Sequence, residues 1–218
     1  MTKNLSERIL TSLLLLFVLC AGIFINKYLF LALLIVSSFI SFNEFNKLIK
    51  KSFKKGIIFI TTFQIFSALF FILFAYTSYE IYGRSPIAII WIISICIFSD
   101  TGGFVIGKLV GGKKLTKISP NKTIAGSIGS FLFALIPLIF LSVINEIYNN
   151  VHMTQLVIVS LLLSLICQSG DLLISYFKRK AKVKDTGSIL PGHGGLLDRI
   201  DGLIFVLPAA FIIEKIFF

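Results

Sequence analysis

Residues 154–177 read TQLVIVSLLLSLICQSGDLLISYF, and the length and apolar character of this stretch decide the class of fold. A helix needs about 20 consecutive, mostly apolar residues to cross the hydrocarbon core of a bilayer. The stretch meets that length, and it contains a single charged residue, Asp171. We therefore predict that residues 154–177 form a membrane-spanning helix that carries one carboxylate.

The composition of the whole chain agrees with a membrane protein. Hydrophobic residues make up 56% of the 218 residues, and charged residues make up only 14%. A soluble domain has about 25% charged residues. A soluble fold of this size could not bury so much apolar surface, and the mean hydropathy is +0.96. The composition therefore excludes a soluble globular protein, a disordered chain and a disulfide-stabilised scaffold.

Six further apolar segments accompany residues 154–177. They are residues 9–25, 28–42, 57–77, 87–107, 124–145 and 202–218. We predict an all-α integral membrane protein, a polytopic bundle of about seven transmembrane helices with polar loops on the cytoplasmic face. Only Asn26 and Lys27 separate the first two segments, which form either a helical hairpin or one bent element. The prediction treats residues 1–218 as a single transmembrane domain, with a variable hydrophobic half (1–98) and a catalytic half (99–218).

The distribution of basic residues predicts the orientation of the chain. If the N-terminus is cytoplasmic and all seven segments cross, the cytoplasmic pieces are the N-terminus and residues 43–56, 108–123 and 178–201. Those pieces contain 18 of the 21 Lys and Arg residues. Cytoplasmic loops carry such an excess in multi-pass membrane proteins. We therefore expect the N-terminus and these loops on the cytoplasmic side, and we expect the membrane to be a bacterial-type inner or plasma membrane. The formal charge of +11 is explained in this way, and we expect no nucleic acid as a partner.

Carboxylates in unusual places are the first candidates for chemistry. Asp100 and Asp171 lie inside apolar segments, where a carboxylate is costly and therefore a functional candidate; the alternative is a packing role beside a lysine. Asp198 and Asp201 are three residues apart and share a face if this stretch is helical. Two like charges repel unless a cation separates them, and Mg²⁺ prefers carboxylate oxygens. We predict that Asp171, Asp198 and Asp201 hold Mg²⁺. The chain has only two histidines and no suitable set of cysteines, so we expect no zinc site.

Cations and glycines surround these carboxylates. Residues 178–184 contain five basic side chains, and residues 191–195 form a glycine-rich turn that leads to Asp198. Glycines let backbone N–H groups approach an anion, so we predict a phosphate site; the alternative is a basic cluster that binds lipid headgroups. His193 either orients a phosphate or shuttles a proton, or is only a turn residue. A second polar block, which consists of residues 99–103 and 107–114 followed by residues 119–123, offers another anion site without a Walker motif.

The stretch 175–201 resembles the signature of the phosphatidate cytidylyltransferases, also called CDP-diacylglycerol synthases. The matching residues are Ser175, Tyr176, Phe177, Lys178, Arg179, Lys184, Asp185, Gly187, Leu190, Pro191, His193, Gly194, Gly195, Asp198, Arg199 and Asp201. Residues 168–172, 119–123 and 99–102 also resemble motifs of that family. One departure is Ala125, because family members commonly carry Glu at that position.

The resemblance implies a Mg²⁺-dependent nucleotidyltransferase that converts CTP and phosphatidate to CDP-diacylglycerol and diphosphate, and it allows a monovalent cation such as K⁺. It implies phosphate contacts from side chains and from backbone N–H groups. The side chains are Lys178, Arg179, Lys184, Arg199, Ser119, Lys122 and Thr123, and the N–H groups are those of Gly194 and Gly195. Asp100 and Asp185 would orient lysines or support the metal, and the catalytic residues would be Asp171, Lys184, His193, Asp198 and Arg199.

Two other functions remain open at the level of sequence. A CTP-dependent polyprenol or dolichol kinase also pairs a lipid with CTP, but it would release CDP instead of diphosphate. A small ion transporter would use Asp100 and Asp171 as a pathway, but it leaves residues 178–201 unexplained. The expected partners are CTP, phosphatidate, membrane lipids and, as a further expectation, a second copy of the chain in a homodimer.

Overall fold

The computed structural model describes the backbone of residues 2–53, 56–143 and 152–217, and the side chains of residues 7–53, 56–139 and 152–216. Within these ranges the chain forms nine helices and no strand. They are α1 (Thr2–Ile25), α2 (Lys27–Ser52), α3 (Ile57–Arg84), α4 (Pro86–Val110), α5 (Ile124–Phe133), α6 (Ile136–Val143), α7 (Met153–Lys180), α8 (Leu197–Ile200) and α9 (Leu203–Phe217). The predicted all-α class is confirmed.

Five of the described helices are long and apolar enough to cross a membrane, and the chain is an integral membrane protein. The five are α1, α2, α3, α4 and α7. The predicted count of about seven spans is not confirmed, because the other two predicted segments form shorter helices. Segment 124–145 is interrupted between Phe133 and Ile136, and its end lies outside the described residues. The last segment forms the 15-residue helix α9, which contains Pro208.

The first two segments are separate helices. The side chain of Asn26 accepts a hydrogen bond from Leu29 N at 2.8 Å and caps α2, so a new helix begins directly after α1 ends. Helix α2 then continues to Ser52, beyond the predicted end at residue 42. The predicted loop 43–56 is therefore helical as far as Ser52, because Phe45 and Leu48 bury their side chains there. Lys54 and Lys55 of that predicted loop lie outside the described residues.

The contacts of the chain divide it into two compact units. The first unit contains Met1–Pro86 and Phe177–Asp201, and the second contains Ile87–Tyr176 and Gly202–Phe218. The single domain with a catalytic half beginning at residue 99 stays a prediction. The boundaries between the two units lie at other positions, after residues 86, 176 and 201. The signature stretch belongs mostly to the unit that contains α1, α2 and α3.

Aromatic rings form the interior of the first unit. Phe177 packs edge-on against Phe45, with ring centroids 5.4 Å apart, and against Phe63 at 6.1 Å. Lys180 places its ammonium 3.8 Å from the centroid of the Phe53 ring. These contacts anchor the end of α7 on α2 and α3, and they fix where the polar stretch after residue 180 begins.

Small residues hold the second unit together. A Cβ atom on Gly102 of α4 would lie 2.5 Å from Gly129 O of α5, and one on Gly126 would lie 2.7 Å from Gly103 O. Only glycine permits such an approach, which is a common way for membrane helices to pack. Ser99 and Ser164 share a buried hydrogen bond of 2.9 Å, which links α4 to α7.

Candidate active site

Asp198 is the centre of a dense hydrogen-bond network in the first unit. Its Oδ1 accepts from Lys178 Nζ at 2.8 Å, and its Oδ2 accepts from Thr186 N at 2.7 Å. The same Oδ2 accepts from Thr186 Oγ1 at 3.0 Å and from Gly195 N at 3.1 Å. The carboxylate therefore joins the end of α7, the connection around residue 186, the glycine-rich turn and α8.

The surroundings of Asp198 stabilise its charged form. Burial on its own would raise the pKa of Asp198, because only 5% of the side chain is exposed. The hydrogen bonds from Lys178, Thr186 and Gly195, together with the charge of Lys178, outweigh that effect. The pKa of Asp198 consequently lies below its ordinary value of 3.8, and the ion pair with Lys178 is present at neutral pH.

A second carboxylate, which the sequence analysis did not select, lies beneath the same network. Glu44 of α2 is 3% exposed. It accepts hydrogen bonds from Leu196 N at 3.1 Å, from Leu197 N at 2.8 Å and from Thr186 Oγ1 at 3.1 Å. The signal in the sequence is an acidic residue shortly after the apolar segment 28–42, a pattern that also fits the end of a membrane segment.

The glycine-rich turn is folded by its own backbone. Leu190 N donates to Gly194 O at 2.9 Å, and His193 N and Gly194 N both donate to Leu190 O, at 2.9 and 3.1 Å. Gly192 and Gly194 have φ angles of 72° and 86°, a region that favours glycine. The N–H groups of Gly194 and Gly195 are thus used within the loop, and their predicted role as phosphate donors stays a prediction.

Helix α1 contacts this turn. Thr11 Oγ1 lies 2.6 Å from His193 Nδ1, and Ser12 Oγ lies 3.3 Å from His193 Nε2. Arg8 Nε donates to Gly192 O at 3.0 Å. His193 is therefore held between hydroxyl groups of α1, a contact that no motif in the sequence predicted.

A basic pocket opens beside the turn, with a volume of about 570 Å³. We call it the basic pocket. Its lining includes the cationic side chains of Arg8, Lys184 and Arg199, together with Asp185 and His193. Arg199 Nη2 also donates to His193 O at 2.9 Å, which holds the guanidinium at the rim. The excess of positive charge makes this pocket suited to phosphate groups.

The second unit has its own pocket, of about 310 Å³, which we call the carboxylate pocket. Asp100 of α4 and Asp171 of α7 both line it, and Lys122 forms an ion pair with Asp171. Ser119 and Thr123 add hydroxyl groups to the lining. Thr123 is also the N-cap of α5, where its side chain accepts from Gly126 N at 3.0 Å.

The structure thus brings most of the predicted site residues into two groups. Lys184, Asp185, His193, Gly194 and Arg199 line the basic pocket, with Lys178, Gly195 and Asp198 in the network beside it. Asp100, Ser119, Lys122, Thr123 and Asp171 line the carboxylate pocket. Arg179 lies exposed at the end of α7, and Asp201 follows α8 as its C-cap.

The predicted metal ligands divide between the units. Asp171 belongs to the second unit, whereas Asp198 and Asp201 belong to the first. Among the residues that the structure describes, no three Asp, Glu, His or Cys side chains form a group that could hold a metal ion. The set of Asp171, Asp198 and Asp201 as Mg²⁺ ligands stays a prediction.

Comparison with known proteins relates the site to a family. A family model described as "Cytidylyltransferase family" matches residues 51–217. A protein of Staphylococcus haemolyticus named phosphatidate cytidylyltransferase is 48% identical over 112 residues, which cover 50% of this chain and 42% of the relative. A protein of the same name from Staphylococcus aureus (strain COL) is 47% identical over 121 residues, covering 55% of this chain and 46% of the relative. The matched segments amount to less than half of the length of each relative.

Proposed function

The chain belongs to the cytidylyltransferase family, and on that premise we propose that it transfers the cytidylyl group of CTP to phosphatidate. The products are CDP-diacylglycerol and diphosphate. The observation that carries the proposal is the basic pocket, whose cations surround the glycine-rich turn and adjoin the Asp198–Lys178 pair. The name that both relatives carry, phosphatidate cytidylyltransferase, supports the choice of lipid substrate.

The chemistry requires positioning more than proton transfer. A phosphate oxygen of phosphatidate attacks the α-phosphorus of CTP; a P–O bond forms there, and the bond to the β-phosphate breaks. The electron pair leaves with diphosphate. The attacking oxygen is already anionic near neutral pH, so no strong general base is needed. The protein must instead bring two polyanions together, and Arg8, Lys184 and Arg199 neutralise their charge.

The two pockets differ in how well they fit a divalent cation. Asp198 and Asp171 are each paired with a lysine, but the Asp198 carboxylate also accepts hydrogen bonds from Thr186 and from Gly195 N, which a cation there would have to displace as well. The carboxylate pocket combines Asp100, Asp171 and hydroxyl groups, a set of hard oxygen ligands. We propose that Asp100 and Asp171 hold Mg²⁺ there, with Lys122 displaced toward a phosphate. Bound Mg²⁺ would neutralise phosphate oxygens.

The proposed orientation follows from the substrates. CTP is a cytosolic solute and phosphatidate is a membrane lipid, so the polar stretches at residues 108–123 and 178–201 belong at the cytoplasmic surface. The excess of Lys and Arg in those stretches supports this orientation.

The test is a direct assay in detergent micelles. Purified protein receives CTP and phosphatidate with and without Mg²⁺, and the release of diphosphate and formation of CDP-diacylglycerol are measured. We expect both products, with Lys184→Met raising the KM for at least one substrate by about tenfold or more, equivalent to one charge-assisted contact. Lys27→Met, at the start of α2, serves as the matched control. If the protein instead phosphorylates a lipid alcohol supplied in place of phosphatidate and CDP is released from CTP, the protein is a kinase.

A further inference from the structure

Glu44 is the only carboxylate of α2, and its contacts reach far along the chain. Its oxygens accept hydrogen bonds from the backbone N–H groups of Leu196 and Leu197, which are 152 and 153 residues away in sequence. Leu196 is the N-cap of α8 and Leu197 is its first residue, and the same helix carries Asp198. Glu44 thus satisfies the N–H groups at the start of α8, where the N-cap residue Leu196 makes no side-chain cap.

Two glycines of the signature stretch enclose the Glu44 carboxylate. A Cβ atom on Gly195 would lie 2.5 Å from Glu44 Oε2, and a Cβ on Gly187 would lie 2.9 Å from Glu44 Cδ. Both distances are shorter than real Cβ contacts allow. Gly187 and Gly195 therefore pack directly on the carboxylate of Glu44. Glu44 thus helps to determine the conformation of the loop formed by residues 186–197.

The hydroxyl group of Thr186 connects Glu44 to Asp198. Thr186 Oγ1 lies 3.1 Å from Glu44 Oε2 and 3.0 Å from Asp198 Oδ2. A hydroxyl has a single proton, so it can donate fully to only one of the two carboxylates at a time. The position of Thr186, and with it the geometry around Asp198, therefore depends on Glu44.

We propose that Glu44 is a positioning residue that holds residues 186–197 in the geometry that the transfer reaction needs. The proposal rests on the proposed function for its kinetic part. Glu44 precedes residues 51–217, which the family model matches, so that match assigns it no role. It acts through the loop: it fixes Thr186 and the start of α8, and these fix Asp198 beside Lys178 and the basic pocket.

The experiment compares Glu44→Gln with wild type in lipid nanodiscs. Gln keeps the size of the side chain but places an NH₂ group against a backbone N–H donor. Amide hydrogen exchange is measured for residues 186–197 and, as an internal reference, for α3. Glu80→Gln makes the same change on α3, within the same unit and away from the loop, and is the matched control.

We expect exchange in residues 186–197 to rise by at least about tenfold in Glu44→Gln, while exchange in α3 stays within a factor of two. We expect kcat to fall by about 10- to 100-fold, because small misplacements cost that much in a positioned reaction. The KM for CTP and for phosphatidate should change by less than about threefold. Glu80→Gln should match wild type in all three measurements.

Several results would overturn the proposal. Unchanged exchange in residues 186–197 would show that Glu44 does not hold the loop, and an equal rise throughout α3 would show a general structural role. A changed KM with unchanged kcat would make Glu44 a binding residue. If Glu44→Gln does not fold, Thr186→Val replaces it: loss of the shared hydroxyl should raise exchange in the same residues and lower kcat. Absence of turnover in wild type would refute the proposed function alone, because the exchange measurement needs no substrate.

Discussion

The pair formed by Asp198 and Lys178 allows a quantitative prediction, because removing either partner has a different cost. The two side chains are 5% and 16% exposed, so the pair is largely buried. Removing one partner of a buried pair costs about 3–5 kcal/mol when the other charge is left without compensation. The question is which charge is better compensated by its remaining neighbours.

Asp198→Asn should be the more damaging change. The Asn side chain keeps one oxygen for Thr186 and Gly195, but its NH₂ group then faces the ammonium group of Lys178. We estimate a loss of about 3 kcal/mol, at the lower end of that range because Lys178 retains some access to water. For a chain of 150–250 residues this corresponds to a fall of about 6–12 °C in the unfolding midpoint.

Lys178→Met should be milder. The carboxylate of Asp198 keeps three donors, two backbone N–H groups and the hydroxyl of Thr186. We estimate a loss of about 1 kcal/mol, the net value of one ordinary hydrogen bond, or about 2–4 °C.

The assay is thermal unfolding in one detergent at pH 7 and at a fixed scan rate, since membrane proteins often unfold irreversibly. Asp185→Asn changes an exposed carboxylate of the same stretch and should shift the midpoint by less than about 2 °C. A lower unfolding midpoint for Lys178→Met than for Asp198→Asn would contradict this prediction, and so would an Asp198→Asn variant that unfolds at the temperature of wild type.

Three further predictions follow from the two pockets and the loop. The pKa of Asp198 is lower in the folded protein than its ordinary value of 3.8. The ionised carboxylate therefore contributes its full stabilisation of the fold above pH 3.8, and this contribution is lost as the pH falls through the lowered pKa. The midpoint of wild type should therefore drop more steeply below pH 3.8 than that of Asp198→Asn. Gly195→Ala would place a Cβ 2.5 Å from a buried carboxylate; we expect a loss of about 1–3 kcal/mol in thermal unfolding, whereas Gly83→Ala, with open space around it, should be neutral or stabilising. Lys122→Met should raise the KM for one substrate by about tenfold or more in the transfer assay, and equal KM values in Lys122→Met and its exposed control Lys117→Met would contradict a phosphate-binding role.

The membrane-spanning helices were predictable because their signal is local. A long apolar run determines whether a segment crosses a bilayer, whatever its neighbours are, and α3, α4 and α7 follow the predicted segments closely. The prediction was less accurate where packing decided the outcome. Helix α2 runs on to Ser52 because residues beyond 42, among them Phe45 and Leu48, are buried in the first unit.

Candidate site residues were predictable where their chemistry is unusual for their place in the sequence. Asp100 and Asp171 stood out as carboxylates in apolar segments, and they do line one pocket. Lys122 was a candidate from its own polar block, but its ion pair with Asp171 depends on how α5 and α7 pack. No spacing rule connects residues 122 and 171.

The sequence by itself determined that this protein is helical, lies in a membrane and carries its polar chemistry in a few short stretches, because length, hydropathy and charge act locally and add along the chain. Only the tertiary structure decided that Glu44 of α2 contacts residues 186–197, that α1 contacts His193 and that Asp198 pairs with Lys178. Hydrogen bonds depend on distance and direction within a few ångströms. A buried acceptor must find its donors wherever the fold brings them, and for Glu44 these came from more than 140 residues away.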